Sequence, residues 1–236
     1  VIPTSVILRS VSCQPVLRAD AERNRLALVT AAREVFGERG LDAPLDEIAR
    51  RAGVGNATLY RRFPSRHDLV AAVFATTLCD VLAVMERSLT EPDPWSAFCD
   101  YVSYVCGLQS ADRGLADLLT TRLAGAPELE ALRAQAYTGF VRLVERAKAA
   151  GALRMDYAPE DLVLLLMANA GLVHRTAGHA SSASGRFVSL ALDGLRAEAA
   201  TEAPASPGER GVVAAMTALG RSFGCGARPQ ADEIPR

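Results

Sequence analysis

Apolar residues recur three and four positions apart along most of this chain, and no stretch alternates apolar and polar with a period of two. The first spacing buries one stripe of a helix, whereas a half-buried strand needs the second. The pattern therefore predicts an all-α fold. Ala, Leu, Arg and Glu dominate the middle of the chain and favour helix. Half of the 236 residues are hydrophobic but only 6% are aromatic, so the expected core is built mainly of Ala, Leu and Val.

Breaks in the periodicity divide the chain. Residues 1–18 have no usable period and read as a flexible extension. A helix is expected from about Asp20, with Leu26, Val29, Ala32 and Phe36 on one face, ending at Arg39-Gly40. Pro44 suits the first turn of a second helix, which stops at Ala52-Gly53; a third runs from Asn56 to Phe63 and is closed by Pro64. Ser65, with Asp68 three residues on, reads as a capping-box start for a long fourth helix reaching about Leu89. Further helices are expected over 94–110, 113–123, 127–150, 159–176 and 185–199. From Thr201 onward Pro, Gly, Ser and Ala predominate, and a mostly disordered tail is expected, with room for a short helix near 212–219. The expected domains are 19–66, a small three-helix unit, and 67–200, a larger helical unit.

Charge and cysteine usage narrow the partners. The net charge is −1, yet residues 18–66 carry ten Arg against seven acidic residues, so a polyanion is drawn to that part. Five widely spaced cysteines include no C-x-x-C pair, which speaks against a disulfide framework and for a reducing cytoplasm. Neither the opening VIPTSVILRSVSC nor the run from Leu162 to Val173 is long enough to span a bilayer, so a soluble protein without a membrane partner is expected.

The segment LDEIARRAGVGNATLYRRFPSRHDL, Leu45 to Leu69, carries the most chemistry. Two short helices meet at a tight corner where Gly53 takes a left-handed backbone at little cost. Ile48, Ala49, Leu59 and Phe63 point inward and Val54 fills the corner. Asn56, Thr58, Tyr60, Arg61 and Arg62 are left for the outer faces, where such side chains donate to phosphates or base edges. A helix of this kind fits the major groove of a duplex. Arg66 adds a cation beside the next helix N-terminus, and Arg18, Arg23 and Arg25 lie close enough in sequence to reach neighbouring phosphates.

Residues 22–74, through LVTAAREVFGERGLDAPLDEIARRAGV and NATLYRRFPSRHDLV, resemble the DNA-binding domain of the TetR family of transcriptional regulators. The resemblance implies that Thr58 and Tyr60 touch DNA, that Arg66 is the family's basic residue at the start of the fourth helix, and that Asn56, Ala57 and Arg62 occupy positions that vary with the operator. The link 40–44 is about one residue shorter than the common form. Gly55 and Asn56 replace a frequent Ser-Lys pair, which removes a possible N-cap and one cation. DRGLADLL and PELEALRAQ resemble one ligand-domain subgroup of the same family. By resemblance the chain is expected to be a homodimeric repressor, released from a palindromic double-stranded DNA operator by a small-molecule effector.

For the effector, Trp95, Phe98, Tyr101 and Tyr104 recur every three residues and are expected to line a pocket with Phe74, Met85 and Tyr137; an ordinary core stripe satisfies the same spacing. Asn169 and His174 interrupt or border an apolar helix and are further candidates, either for a ligand or as satisfied core groups. Small Ala168, Ala170 and Gly171, with Val188, Leu192 and Leu195, admit a dimer interface. His67, His174 and His179 form no metal-ligand spacing with any cysteine, and no nucleophile–base–orienter set is visible. No catalytic residue, metal or cofactor is therefore expected. Two rival readings are a helical enzyme using His174 or a cysteine, and an architectural or division-linked DNA binder that responds to no effector.

Overall fold

A computed structural model describes residues 14–176 and 179–222, and the regular elements among these residues are helices. The expectations for residues 1–13 and 223–236 lie outside the described residues. The order is α1 (Gln14–Arg39), α2 (Leu45–Arg51), α3 (Asn56–Arg62), α4 (Arg66–Thr90), α5 (Pro94–Ala111), α6 (Arg113–Thr120), α7 (Pro127–Ala149), α8 (Asp161–Arg175), α9 (Ala180–Gly194) and α10 (Gly208–Ser222). A 3-10 turn at Ala197–Ala199 follows α9, and Leu153 bridges Arg196 in antiparallel fashion.

Local chemistry sets most of the ends. Gly40 and Gly53 both adopt positive φ, 91° and 70°, and close α1 and the corner after α2. The Ser65 hydroxyl caps the Asp68 N–H while the Asp68 carboxylate accepts from the Ser65 N–H, a reciprocal capping box. Asp112 ends α5 and caps α6 by accepting from the Leu115 N–H. At the far end of α4, Arg146 donates to the carbonyls of Ser88, Leu89 and Glu91 and so fastens the last turn.

Two apolar cores are joined by α4. One gathers Leu28, Val35 and Phe36 of α1, Ile48 of α2, Leu59 of α3 and Leu69 to Leu78 of α4, with Leu115 and Leu118 of α6 beneath them. The other gathers Val81 and Met85 of α4 with apolar residues of α5, α7, α8 and α9. The helix α4 is long and apolar enough to cross a membrane by length and composition, but its Leu69, Val70, Val73, Phe74, Leu78, Val81 and Met85 are buried against protein.

The structure corrects several expectations. The helix α1 starts at Gln14, within the expected extension, and α9 starts at Ala180 rather than near 185. Leu26 is 65% exposed, because the buried seam of α1 runs through Leu28, Ala31, Ala32 and Val35 instead. The largest change is α10. Residues 208–222, expected to be largely tail, form a helix that buries Val212 and Met216 four residues apart, and the Arg122 N–H donates to the Met216 carbonyl at 3.1 Å. Its glycines and alanines do not block a helix once an apolar i, i+4 pair has a surface to cover.

Candidate nucleic-acid interface and enclosed cavity

The corner is formed by α2 and α3, with Ile48, Ala49, Leu59 and Phe63 buried in the same core. That burial orients α3. Asn56, Ala57, Tyr60, Arg61 and Arg62 are exposed and Thr58 is half-buried. Gly55 caps α3 without any side-chain hydrogen bond, so the N–H groups of its first turn keep only backbone partners: Thr58 N–H and Leu59 N–H both donate to Gly55 O, at 2.9 and 3.2 Å. The Arg61 guanidinium reaches the Thr58 hydroxyl at 3.4 Å and is otherwise directed to solvent.

Arg66 is placed differently from its neighbours. It is half-buried, and one guanidinium nitrogen donates to the carbonyls of Leu41 at 2.7 Å and Ala43 at 2.6 Å. Burial lowers its pKa from the ordinary arginine value. Its observed work is to fasten the link between α1 and α2, which holds the corner in place. Arg23 pairs with Asp20, and the Arg25 guanidinium stands 5.7 Å from the Phe63 ring centre.

Behind the corner, α6 is tied to the end of α1. The Leu41 N–H donates to Asp117 Oδ2 at 2.8 Å, Arg113 donates to the Glu38 carbonyl at 3.3 Å, and Arg33 pairs with Asp112 at 3.3 Å. Arg113 also meets His174 Nδ1 of α8 at 2.6 Å. Burial raises the pKa of Asp117 against the opposing effect of its backbone hydrogen bond.

Within the second unit lies a cavity of about 260 Å³ bordered by α4, α5, α7, α8 and α10. Its walls are mainly apolar, including Leu78, Val81, Val105, Phe140, Leu162, Leu166, Val212 and Met216, with Arg122, Glu130, Arg133, Glu160 and Glu209 as the charged groups. Of the nine ligand candidates named from the sequence, Tyr101 and Tyr137 line it and the other seven do not. Residues three apart on a helix of 3.6 residues per turn step back by about 60° each time, so Trp95 and Tyr104 lie on opposite sides of α5. Trp95 stacks on Phe98 at 5.8 Å under the Arg196 guanidinium, and Phe98 packs on Phe140 and Tyr157. Met85 is buried against Gly139. Asn169 is buried and donates to Cys106 O and Gln109 Oε1, while His174 is exposed on Arg113. Phe74, a further suggestion, stacks on Phe36 in the other core.

The charged groups of the cavity escaped sequence reading, because only a short helix near 212–219 was foreseen in the tail, without Glu209, and the α7 side chains carry no local signature. Burial pushes the thiols of Cys99 and Cys106 up to about 11 and about 12, which keeps both protonated at neutral pH. Among the described residues no cluster of three His, Cys, Asp or Glu could hold a metal ion.

Comparison with known proteins gives two family-model matches, which together cover more than half of the chain. One, described as bacterial regulatory proteins of the tetR family, matches residues 28–73; the other, described as the C-terminal domain of SbtR-like transcriptional regulators, matches residues 93–197. The HTH-type transcriptional regulator SrpR of Pseudomonas putida is 42% identical over 59 residues, 25% of this chain and 28% of SrpR, so the match spans less than a third of that relative. The TetR transcriptional regulator SCO0520 of Streptomyces coelicolor is 32% identical over 73% of this chain and 98% of its own, with a TM-score of 0.48. A TetR-family regulator of Agrobacterium tumefaciens, 19% identical, superposes with a TM-score of 0.56 over 75% of this chain and 99% of its own, a likeness of fold.

Proposed function

Because the chain belongs to the TetR family of DNA-binding transcriptional regulators, we propose that it is a homodimeric repressor whose α3 reads a palindromic operator and whose cavity takes a small-molecule effector. The observation that carries the DNA reading is the contrast along α3. Leu59 and Phe63 are 1% and 3% exposed, while Asn56, Tyr60, Arg61 and Arg62 stand on the outer side of the corner. Such a helix enters the major groove, with amide and guanidinium groups on base edges and the phenol on the backbone. Arg66 then acts by holding the 41–43 link, and Thr58 by supporting Arg61.

Two copies are needed for a two-fold operator. The surface we assign to pairing is the outer side of α8 and α9, where Leu164 is 41% and Leu190 is 55% exposed and Ala168 and Gly171 allow close approach. Paired recognition helices about 34–36 Å apart meet successive major grooves. An effector that favours another arrangement of the two units lowers DNA affinity by linkage. The helix α4 carries that coupling, since it lies in both cores. Family members of this kind are regulators rather than enzymes.

The direct test is selection of duplex fragments from a random pool by the pure protein, followed by sequencing. A palindromic consensus is expected. Replacing Tyr60 and Arg62 together by Ala is then expected to abolish retention in a gel shift at fixed salt while the dimer persists. Retention unchanged by that double substitution would overturn the placement of the reading residues.

A further inference from the structure

An apolar cavity chooses among ligands of similar size through the few charged groups it keeps available. Here those groups fall into two sets. Arg122 is engaged by Glu130 at 3.0 Å, and Glu130 also accepts from the Leu123 N–H at 3.1 Å. Arg133 donates to the carbonyls of Thr121 at 2.5 Å and Leu118 at 2.8 Å, closing the end of α6. Glu130 and Arg133 are thus committed to the protein itself, and Arg122 is paired with Glu130 through its Nε.

The second set is open. Glu160 accepts only the Tyr137 hydroxyl, at 3.3 Å, and the Glu209 carboxylate has no hydrogen-bond or ion-pair partner among the described residues. Both carboxylates bear on Tyr137, whose pKa is pushed up to about 12, by burial first and then by Glu160 and Glu209. Glu160 sits at the N-cap of α8 and Glu209 in the first turn of α10. Tyr101, Tyr137 and Phe140 present aromatic surface in the same cavity, and ring faces attract cations.

Building on the effector-cavity reading above, we propose that the cavity takes a small amphiphilic cation, an apolar body bearing one ammonium-type charge, selected by Glu160 and Glu209. The apolar body lies against Val105, Phe140, Leu166 and Met216, and the charge faces the two carboxylates and the Tyr137 ring. The helix α10 supplies one of the carboxylates and part of the apolar wall, so charge selection depends on a segment beyond the matched family domain. At about 260 Å³ the cavity is near the small end of ligand sites, which run roughly 300–1,000 Å³, so the ligand is about the size of one substituted ring.

The test titrates the full chain by calorimetry with benzyltrimethylammonium, its neutral carbon isostere neopentylbenzene, and phenylacetate. The cation is expected to bind most tightly. Glu160→Gln and Glu209→Gln are each expected to weaken the cation by roughly tenfold, as the loss of one opposite charge near a partly desolvated cation does, with little effect on the isostere. Thermal unfolding of the variants checks that they fold. Since Glu209 is exposed, Glu209→Lys leaves both cores intact and is expected to shift preference toward phenylacetate. Equal binding of the cation and the isostere overturns the cation class but leaves the cavity standing as the effector site. Tighter binding of phenylacetate by the unmodified chain also overturns it, and assigns selection to Arg122. If none of the three binds, the effector-cavity reading fails with the proposal.

Discussion

Leu59 and Tyr60 are adjacent in sequence, yet one is 1% and the other 53% exposed, and that contrast aims α3. It was legible in advance because it depends only on spacing, with Leu59 and Phe63 four apart. Arg66 was legible as a cation but not in its contacts, since the carbonyls it holds lie 23 and 25 residues away. Asp117 left no trace in the sequence at all, because its partner, the Leu41 N–H, is 76 residues distant. Its chemistry gives a pH prediction. The folded pKa is raised by burial, so the stabilising difference is fully present below the ordinary carboxylate range and is lost as pH rises through the folded value. Unfolding free energy is therefore expected to fall as pH rises above the ordinary carboxylate range, relative to Asp117→Asn, which keeps an acceptor for Leu41 without the charge. Parallel urea titrations of the two proteins over that rise in pH measure the difference. A gap that stays constant with pH would show that Asp117 contributes no such slope.

Elements were legible where their punctuation is local. The reciprocal cap at Ser65 and Asp68, the positive-φ glycines 40 and 53, and proline at the start of α5 and α7 all act within a few residues. Docking is a different matter. The helix α6 approaches α1 so closely that a Cβ on Gly114 would sit 2.9 Å from Phe36 Cβ and 3.0 Å from both the Phe36 carbonyl oxygen and the Phe74 ring. Alanine would gain about 1 kcal/mol of helix propensity, but overpacking against a backbone oxygen costs about 1–3 kcal/mol. Gly114→Ala is expected to lower stability by roughly 1 kcal/mol, seen as a lower denaturant midpoint at unchanged slope. A variant as stable as the parent would mean that α6 can shift outward freely. The aromatic repeat on α5 has a period of three, which is not a face of an α-helix, and only Tyr101 of the four reaches the cavity wall.

At the scale of the whole molecule, two cores share one 25-residue helix, which runs from Leu69 beside the corner to Val81 and Met85 in the second unit, and the proposed coupling uses that helix. The outer side of α8 and α9 leaves Leu164 and Leu190 exposed, as a pairing face would. Substituting both by Glu is expected to halve the mass found by light scattering and to abolish cooperative operator binding while helicity is retained. A mass unchanged by the pair of substitutions would place the contact elsewhere.

The wall contributed by α10 has a further consequence under the proposed effector reading. Val212 and Met216 stand outside the residues that bury α2 and α3. Substitutions there would reshape the cavity wall without replacing any side chain that orients α3. A lineage carrying this helix would then exchange one chemical signal for another by drift in a peripheral segment, and go on governing the same genes.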